Sequence, residues 1–212
     1  TVLQAAYVIL LSRLSGQDDV VIGTKIEDRE STKLESLIEL FNNTLPIGAD
    51  LEGNPTVEAL LAQLKRDNLA ADNHKAISFE QLIDSANLER SSSHSPIFQA
   101  LFTLHNTSDS PEHDAATNSA HIMSPFDLSL SIVDAKDGMV CGLTYATNLF
   151  DSSTAQAWLR YYQRILSAMV TDTMATVLSI PLLDTHESHT LLETFNNTSC
   201  DFATERNVIT LF

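Results

Sequence analysis

Basic residues are scarce in this sequence. Lysine and arginine together number 12 against 28 aspartates and glutamates, which gives a formal net charge of −16 over 212 residues. Proteins that bind nucleic acid neutralise phosphates with clustered lysine and arginine, and here the few basic residues are scattered. We therefore expect neither nucleic acid nor an anionic membrane surface as a partner, and we interpret the acidity as a source of solubility.

Cysteine, glycine and long apolar runs are also in short supply. The two cysteines, Cys141 and Cys200, cannot form a disulfide framework for a chain of this length, which favours a cytosolic (cytoplasmic) setting. The longest apolar run, residues 5–11, is far too short to cross a bilayer. The 6 glycines form no glycine-rich loop of the kind that holds a nucleotide phosphate.

Histidine is present, but not in the patterns of metal or nucleophile chemistry. The stretch His186-Glu187-Ser188-His189 lacks the spacing of a zinc peptidase, in which the two histidines lie four residues apart. His113, Asp114 and His121 accompany no nucleophile in a tight glycine-flanked turn. We interpret both groups as solvated, and we predict no metal site and no catalytic residue in this chain.

The hydropathy pattern predicts strands that alternate with helices. An apolar helix at residues 1–14 ends at Gly16, which can adopt a positive φ. A continuous apolar strand follows at 19–26, and we expect it to be covered on both faces. The other predicted elements are helices at 34–40, 57–70, 78–84 and 154–170 and strands at 44–51, 98–105, 128–133 and 139–147, the last two joined by a hairpin turn at 134–138. This order predicts an α/β fold with a mixed β-sheet covered by helices.

Apolar spacing identifies the inner faces of the two longest predicted helices. Asn54-Pro55-Thr56 opens the first helix, and Asp151 is placed to cap the second. The residues expected to face the core are Val57, Leu60, Leu61, Leu64 and Leu69 in the first helix and Ala155, Trp158, Leu159, Tyr162, Ile165, Leu166 and Met169 in the second. A charged loop is predicted at 27–32, and a Ser- and Asp-rich segment at 106–124 is predicted to be mobile.

The first distinctive motif spans Ser12 to Thr24. It contains Gly16-Gln17, and Gly23 is its second-last residue. Arg29 follows the motif. This stretch closely resembles the start of the second lobe of the condensation domain of nonribosomal peptide synthetases. That family is built from two lobes, and each lobe resembles a subunit of chloramphenicol acetyltransferase.

Further motifs of the same family follow in the same order. The matching residues are Phe41, Asn43, Thr44, His74, Phe79, Glu80, Arg90, Ser93, Pro96, Phe98 and Gln99. The departures are Glu39, Asn42, Gly48, Ser91 and the middle of the motif at 74–80. Segments 126–128, 145–151, 182–183 and 195–198 also fall in the family's order. The departures leave open that the parent domain is degenerate or specialised.

The resemblance implies a domain organisation. Residues 1–183 resemble the C-terminal, acceptor-side lobe, residues 184–203 resemble the linker to an adenylation domain, and residues 204–212 resemble the start of that domain. The family's catalytic signature, His-His-x-x-x-Asp-Gly, belongs to the first lobe, and this sequence has no His-His pair. We expect both ends of the sequence to lie within a longer polypeptide.

The resemblance also implies a function. A whole condensation domain forms a peptide bond between two aminoacyl or peptidyl groups, each held as a phosphopantetheine thioester on a carrier protein. This lobe would supply the acceptor-side wall of the substrate tunnel and a docking surface for a carrier. It would bind no cofactor directly and would be inactive alone. Its implied partners are the N-terminal lobe, the donor and acceptor carrier proteins and the downstream adenylation domain.

Two other functions remain open. A condensation-like domain that has lost its chemistry could act as a docking module for carrier or partner proteins. An acyltransferase of the same superfamily, using free or CoA-linked acyl groups, is a weaker alternative. The adenylation-like segment after Asn197-Thr198 argues against it, because a stand-alone acyltransferase would not continue in this way.

Five residues are candidates for the tunnel wall. Asn43 and Thr44 lie where a predicted helix meets a strand, which is a plausible lip of a cleft. His74 follows a helix, Ser124 precedes a strand, and Asp127 interrupts an apolar run. Each candidate has a structural alternative: a turn for Asn43, a solvated helix end for His74, an ordinary loop for Ser124 and a structural hydrogen bond for Asp127.

Overall fold

The computed structural model describes residues 1–27, 42–74, 77, 79–85, 95–106, 126–135 and 138–199. The strands in these residues are β1 (Asp19–Glu27), β2 (Asn42–Asp50), β3 (Ala100–Asn106), β4 (Leu128–Ala135) and β5 (Gly138–Tyr145). The α-helices are α1 (Val2–Ser15), α2 (Val57–Asp72), α3 (Phe79–Ser85), α4 (Ser152–Thr171) and α5 (Thr185–His189). The predicted helix at 34–40, most of the charged loop at 27–32, the tip of the hairpin turn and the segment 107–124 lie outside the described residues.

The five strands form one mixed sheet in the order β2-β1-β3-β4-β5. The three central strands, β1, β3 and β4, run parallel to one another. The two outer strands, β2 and β5, each pair antiparallel with their neighbour. The predicted α/β class with a mixed sheet is therefore confirmed.

One face of this sheet packs against α1 and α4, and we call it the helix face. The Tyr7 ring of α1 lies 6.3 Å from the Phe102 ring of β3, and the Tyr162 hydroxyl of α4 donates to the carbonyl of Leu3 at 3.0 Å. The fully buried strand residues on this face include Ile22, Ile47, Leu130 and Ile132. Burial of these aliphatic side chains is the main source of the stability of the fold.

The start of the chain folds as its sequence predicts. Gly16 ends α1 in the left-handed conformation with φ of 70°, and its N–H donates to Ser12 O. In β1, Ile22 and Gly23 point to opposite faces and are both buried, so the strand is covered on both faces at its middle. Arg13 then ties α1 to residues 177–180, because its guanidinium donates to the carbonyls of Val177, Leu178 and Ile180 at 3.0–3.2 Å.

Two local expectations are wrong, and a third, the cap at Asp151, holds for the position but not for the hydrogen bond. Leu69 is 62% exposed because it comes five positions after Leu64, which turns it well away from the inner stripe of α2. Asp151 lies at the N-cap of α4, but its side chain accepts no capping hydrogen bond. The strands predicted at 98–105 and 139–147 begin at Ala100 and end at Tyr145 respectively, since ladder pairing rather than hydropathy sets their limits.

The chain divides into two compact units, one formed by Thr1–Ile180 and a second that begins at Pro181. In the second unit, the stretch predicted to be a solvated linker contains α5. A capping box begins this helix, since the Asp184 carboxylate accepts the Glu187 N–H at 2.6 Å and the Glu187 carboxylate accepts the Asp184 N–H at 3.1 Å. A π-helical turn, Thr190–Thr194, follows. No helix among the described residues is long and apolar enough to span a membrane.

Candidate functional site

The carboxyl ends of the three parallel strands lie together at one end of the sheet, which we call the carboxyl end. Proteins of the α/β class commonly bind ligands at this end. A buried polar network lies at this end. Gln4 is 3% exposed; its amide donates to Thr24 Oγ1 at 3.1 Å and accepts from Asn68 Nδ2 at 2.6 Å. Asn68 Nδ2 also donates to the carbonyl of Leu64 at 2.8 Å. The Gln4–Thr24–Asn68 network therefore joins the start of α1, the second half of β1 and the end of α2.

Two of the predicted wall residues lie at this carboxyl end. Thr44 is half-buried and pairs with Lys25, the residue after Thr24. His74 is exposed just beyond the end of α2, and its backbone N–H donates to Ala71 O at 2.9 Å. The backbone of Asn43 belongs to β2 and pairs with Ile26, but its side chain is outside the described residues. Exposure of His74 agrees with its structural alternative of a solvated helix end.

Asp127 lies at the opposite end of the sheet, directly before β4. Its carbonyl accepts the Ala146 N–H at 2.9 Å, and it lines a groove of about 500 Å³ that also includes Asp19. Asp19 is the first residue of β1, and Lys25, which pairs with Thr44, lies six residues later in the same strand. Six residues of a strand span about 20 Å, so the groove and Thr44 lie about that far apart. The structure thus separates Asp127 from Thr44, and Ser124 lies outside the described residues.

The groove beside Asp127 has mainly apolar walls. Among its residues, Phe150 and Trp158 make an edge-to-face ring contact with centroids 4.9 Å apart. The remaining lining residues are Leu11, Leu14, Ser15, Gln17, Val20, Val21, Ile97, Gln99, Ala100 and Leu128. The groove is an apolar cavity with carboxylates, not a cluster of catalytic groups.

A cluster of three phenylalanines packs on the second face of the sheet, opposite the helix face. The Phe98 ring lies 5.3 Å from the Phe79 ring and 5.1 Å from the Phe126 ring. Phe98 also covers Gly23, because a Cβ atom built on Gly23 would lie 2.1 Å from Phe98 Cε2. This phenylalanine cluster (Phe79, Phe98 and Phe126) joins three separate segments of the chain to the middle of β1.

Sequence reasoning did not identify the phenylalanine cluster as a unit. Each member lies in a different sequence motif, and the spacing along the chain does not indicate that the rings meet. One signal was available: a glycine inside a strand often marks a close approach by another group, and Gly23 is such a glycine. The three phenylalanines therefore share a structural role: they hold separate segments of the chain against β1.

Beyond this cluster, the second face carries several small hydroxyl side chains. Cross-strand register places Leu101, Ser129 and Thr144 in one row, and Thr103, Ser131 and Gly142 in the next. Thr103 is buried, and Ser129, Ser131 and Thr144 are half-buried. Where the helix face is mainly aliphatic, this surface mixes these hydroxyl groups with aliphatic side chains such as Leu101 and Val133.

Burial suppresses ionisation of the nucleophilic groups near the core. Burial raises the pKa of Cys141, in β5, to about 11, and it also raises the pKa values of Tyr7 and Tyr162, with a smaller contribution from nearby ionisable groups. A thiol with a raised pKa is a weak nucleophile at neutral pH. The described residues contain no group of three or more His, Cys, Asp or Glu that could hold a metal ion.

Comparison with known protein families identifies this arrangement. The family model described as the condensation domain matches residues 1–192. The chain belongs to the condensation domain family. The expected resemblance to the condensation domain of nonribosomal peptide synthetases is thereby confirmed.

The related proteins of this condensation domain are peptide synthetases. A linear gramicidin synthase of Brevibacillus parabrevis is 35% identical over 213 residues, which cover 97% of this chain and 3% of that protein. Malpinin synthetase of Mortierella alpina is 38% identical over 208 residues, which cover 92% of this chain and 3% of that protein. The chain therefore spans only a small part of the curated relatives it matches.

Solved structures of condensation domains share the fold. The X-domain from teicoplanin biosynthesis superposes with a TM-score of 0.77 at 25% identity, covering 86% of this chain and 43% of that chain. A four-domain nonribosomal peptide synthetase bound to AMP and glycine superposes with a TM-score of 0.74 at 20% identity, covering 88% of this chain and 16% of that chain. The chloramphenicol-acetyltransferase-like fold predicted for this condensation domain is confirmed.

Proposed function

We propose that residues 1–183 are the C-terminal, acceptor-side lobe of a condensation domain that forms peptide bonds in a nonribosomal peptide synthetase. One observation carries the proposal: the family model matches residues 1–192, yet the chain has no His-His pair from which the family's catalytic signature could be formed. The chain also covers 43% of the X-domain, which is about the share expected of one lobe out of two.

The proposed reaction is acyl transfer between two carrier proteins. The acceptor's amine nitrogen attacks the carbonyl carbon of the donor thioester; the C–N bond forms, the C–S bond breaks, and the proton lost by the nitrogen passes to the departing thiolate, which leaves as a thiol. A free α-amino group has a pKa of about 8, so it needs little help to react at neutral pH. Holding the two tethered substrates together supplies much of the rate, and the histidine of the other lobe would orient or deprotonate the amine.

In this proposal, the carboxyl end of the sheet and the second face form the acceptor-side wall. Thr44 and His74 lie at that end, and the Gln4–Thr24–Asn68 network fixes the helices around it. Asn43 and Ser124 remain proposed wall residues. Asp127 lies at the other end of the sheet, about 20 Å from Thr44 measured along the strand direction. We therefore propose that Asp127 is part of the groove wall and does not touch the same substrate group as Thr44.

The partners and setting are part of the same proposal. The phosphopantetheine thioesters would belong to donor and acceptor carrier proteins, and this lobe would bind no cofactor of its own. Residues 184–203 would form the linker to an adenylation domain that starts at residues 204–212. We also propose a cytoplasmic location, where synthetases obtain their activated substrates.

A docking module is the second candidate function. The observation that favours it is the likeness to an X-domain whose structure is described as a complex with OxyB, at 25% identity and a TM-score of 0.76. The departures at 74–80 from the family motif also fit a domain that has lost its chemistry. Under this alternative, the second face would bind a protein and no peptide would form.

A condensation assay separates these functions. The complete condensation domain that contains this chain is incubated with a donor carrier and an acceptor carrier, both loaded with aminoacyl thioesters, and the peptidyl carrier is measured by mass spectrometry. We expect product from the complete domain and none from the 212-residue chain alone.

Two results would count against the proposal. Product made by the 212-residue chain alone would contradict the assignment of catalysis to the other lobe. A complete domain that is folded and binds its carriers but makes no peptide, with any donor and acceptor pair that its own adenylation domains load, would favour the docking module.

A further inference from the structure

Strand β5 forms one outer edge of the sheet. It pairs antiparallel with β4 from Gly138 to Tyr145, and in the described part of the chain no strand pairs with its other side. Alternate N–H and C=O groups of this strand therefore point outward. Such a row of backbone groups can bind another strand.

The sequence of β5 has none of the features that usually prevent strand addition. It reads Gly-Met-Val-Cys-Gly-Leu-Thr-Tyr, with no charged residue and no proline. Met139 is 62% exposed and Val140 is 53% exposed. Soluble proteins commonly protect an outer strand with a lysine, a proline or a covering element. The apolar, uncharged edge of β5 is therefore suited to pairing.

The other edge of the same sheet is protected in two ways. Pro46 lies in the middle of β2 and has no N–H to offer a further strand. The Gln63 side chain of α2, with its amide oriented to satisfy both groups, donates to Asp50 O and accepts from Asp50 N, each at 3.1 Å. Gln63 thus occupies the backbone groups that an added strand would need. The contrast shows that the exposure of β5 is not a general property of this sheet.

Helix α1 indicates the direction of a strand that would fit. It starts at the carboxyl end of the parallel strands, where Gln4 bonds Thr24, crosses the helix face, and enters β1 after Gly16. A helix followed by a strand in this way forms the second half of a β-α-β unit when a parallel strand precedes the helix. A strand leading into α1 would run parallel to β1, and hence antiparallel to β5.

We propose that β5 pairs with a sixth strand, formed by the segment of the condensation-domain polypeptide that leads into α1 and running antiparallel to β5. The inference rests on the proposed function only in assuming that this chain works within a longer condensation domain. The X-domain is more than twice as long as the part this chain covers. A second copy of the chain is disfavoured as the occupant because each copy carries a net charge of −16.

Two neighbouring proline substitutions test the pairing. In a strand, adjacent N–H groups point to opposite sides, so one of Met139 and Val140 donates to β4 and the other points outward. Both side chains are exposed, so Met139→Pro and Val140→Pro remove little side-chain packing. In the complete condensation domain, we expect both substitutions to lower the melting temperature. We also expect both amides to exchange with solvent deuterium at least about 100-fold more slowly than unprotected amides.

The control lies on the protected edge. Gln63→Ala in the same domain should speed exchange of the Asp50 amide, which shows that the measurement detects the loss of an edge contact. If one of the two β5 amides exchanges freely and its proline substitution leaves the melting temperature unchanged, the edge is open and the proposal is wrong.

The 212-residue chain provides the second arm. We expect one fast and one slow amide at positions 139 and 140, whatever the protein concentration. Protection of both amides that grows with concentration would mean pairing with a second copy and would overturn the proposed occupant. Because neither arm measures peptide formation, failure of the sixth strand and failure of the condensation function give different results.

Discussion

The two faces of the sheet differ in the side chains they carry and in the segments that pack on them. The helix face buries aliphatic side chains such as Ile22, Leu130 and Ile132, each at most 1% exposed. The second face has the phenylalanine cluster at β1 and carries the hydroxyl side chains of Thr103, Ser129, Ser131 and Thr144 on β3, β4 and β5. The helix face holds α1 and α4 against the sheet. The second face instead holds together segments that carry the family motifs.

This difference indicates where stability and function can be separated. A residue on the helix face acts through buried volume, so its loss should lower stability without moving the motif segments. Gly23 acts through the space it leaves for Phe98, so a larger residue there should move Phe98 together with its ring partners Phe79 and Phe126. The comparison therefore predicts unequal ratios of activity loss to stability loss on the two faces.

The largest stability effect is expected on the helix face. Leu130 is 1% exposed, and Leu130→Ala should lower the free energy of unfolding by about 2–5 kcal/mol, because it removes apolar contacts and leaves a cavity. Chemical denaturation followed by circular dichroism measures this change. The neighbouring Ser131, on the second face, is the control: Ser131→Ala should change stability by less than about 1 kcal/mol. Equal losses would contradict the distinction between the faces.

A smaller loss of stability is expected for Gly23→Ala. The new methyl group would lie 2.1 Å from Phe98 Cε2, so the ring must shift, at a cost of about 1–3 kcal/mol. Gly48→Ala in β2 is the matched control, because nothing lies within 4 Å of a Cβ atom built there. Thermal unfolding of both variants tests the prediction. A Gly23→Ala protein as stable as Gly48→Ala would show that Phe98 is not held against β1.

The buried network should contribute less again. Gln4→Leu keeps the size of the side chain but leaves the Thr24 hydroxyl and the Asn68 amide without their shared partner. The expected loss is about 1 kcal/mol, at the low end for an unsatisfied buried group, because Thr24 and Asn68 are only half-buried. Gln163→Leu, at an exposed position of α4, is the control. Denaturation midpoints that match for the two variants would show that the network does not stabilise the carboxyl end.

The last prediction concerns the dependence of stability on pH and is confined to alkaline solution. Burial raises the pKa of Cys141 to about 11 in the folded chain, above the value of about 8.5 for a free thiol. The folded state therefore favours the neutral thiol, and the associated stability is present below about pH 8.5 and is lost as pH rises towards the folded pKa. In a Cys200→Ser background, Cys141→Val should flatten this part of the profile between about pH 8 and 11. An unchanged profile would mean that the thiol titrates normally.

Much of the fold could be predicted because its signals are local. Gly16 after an apolar helix and the continuous apolar run of β1 need no long-range knowledge to interpret. The capping box of α5 also has a local signal, because Asp184 and Glu187 have the required spacing. The polar composition of this region instead favoured a linker. Local patterns of this kind fix where helices begin and end, whereas the ladder sets the limits of strands.

The candidate site was less predictable because it depends on contacts between distant segments. Nothing in the local sequence indicates that Asp127 and Thr44 lie at opposite ends of one sheet, since this follows from strand order and direction. The contact of Phe98 with Gly23 likewise joins two distant parts of the chain. Family motifs identified these residues individually, whereas only the structure shows that they act as one cluster.

The most direct test of the two-face account compares peptide formation with stability in the complete condensation domain. Gly23→Ala is paired with Ile132→Val, a helix-face substitution expected to cost about 0.5–1.5 kcal/mol, and kcat/KM is measured per folded molecule. The account predicts a loss of about 10- to 100-fold for Gly23→Ala, because small displacements of substrate-positioning segments are costly, and little loss for Ile132→Val. Activity losses that follow the loss of stability equally in both variants would contradict it.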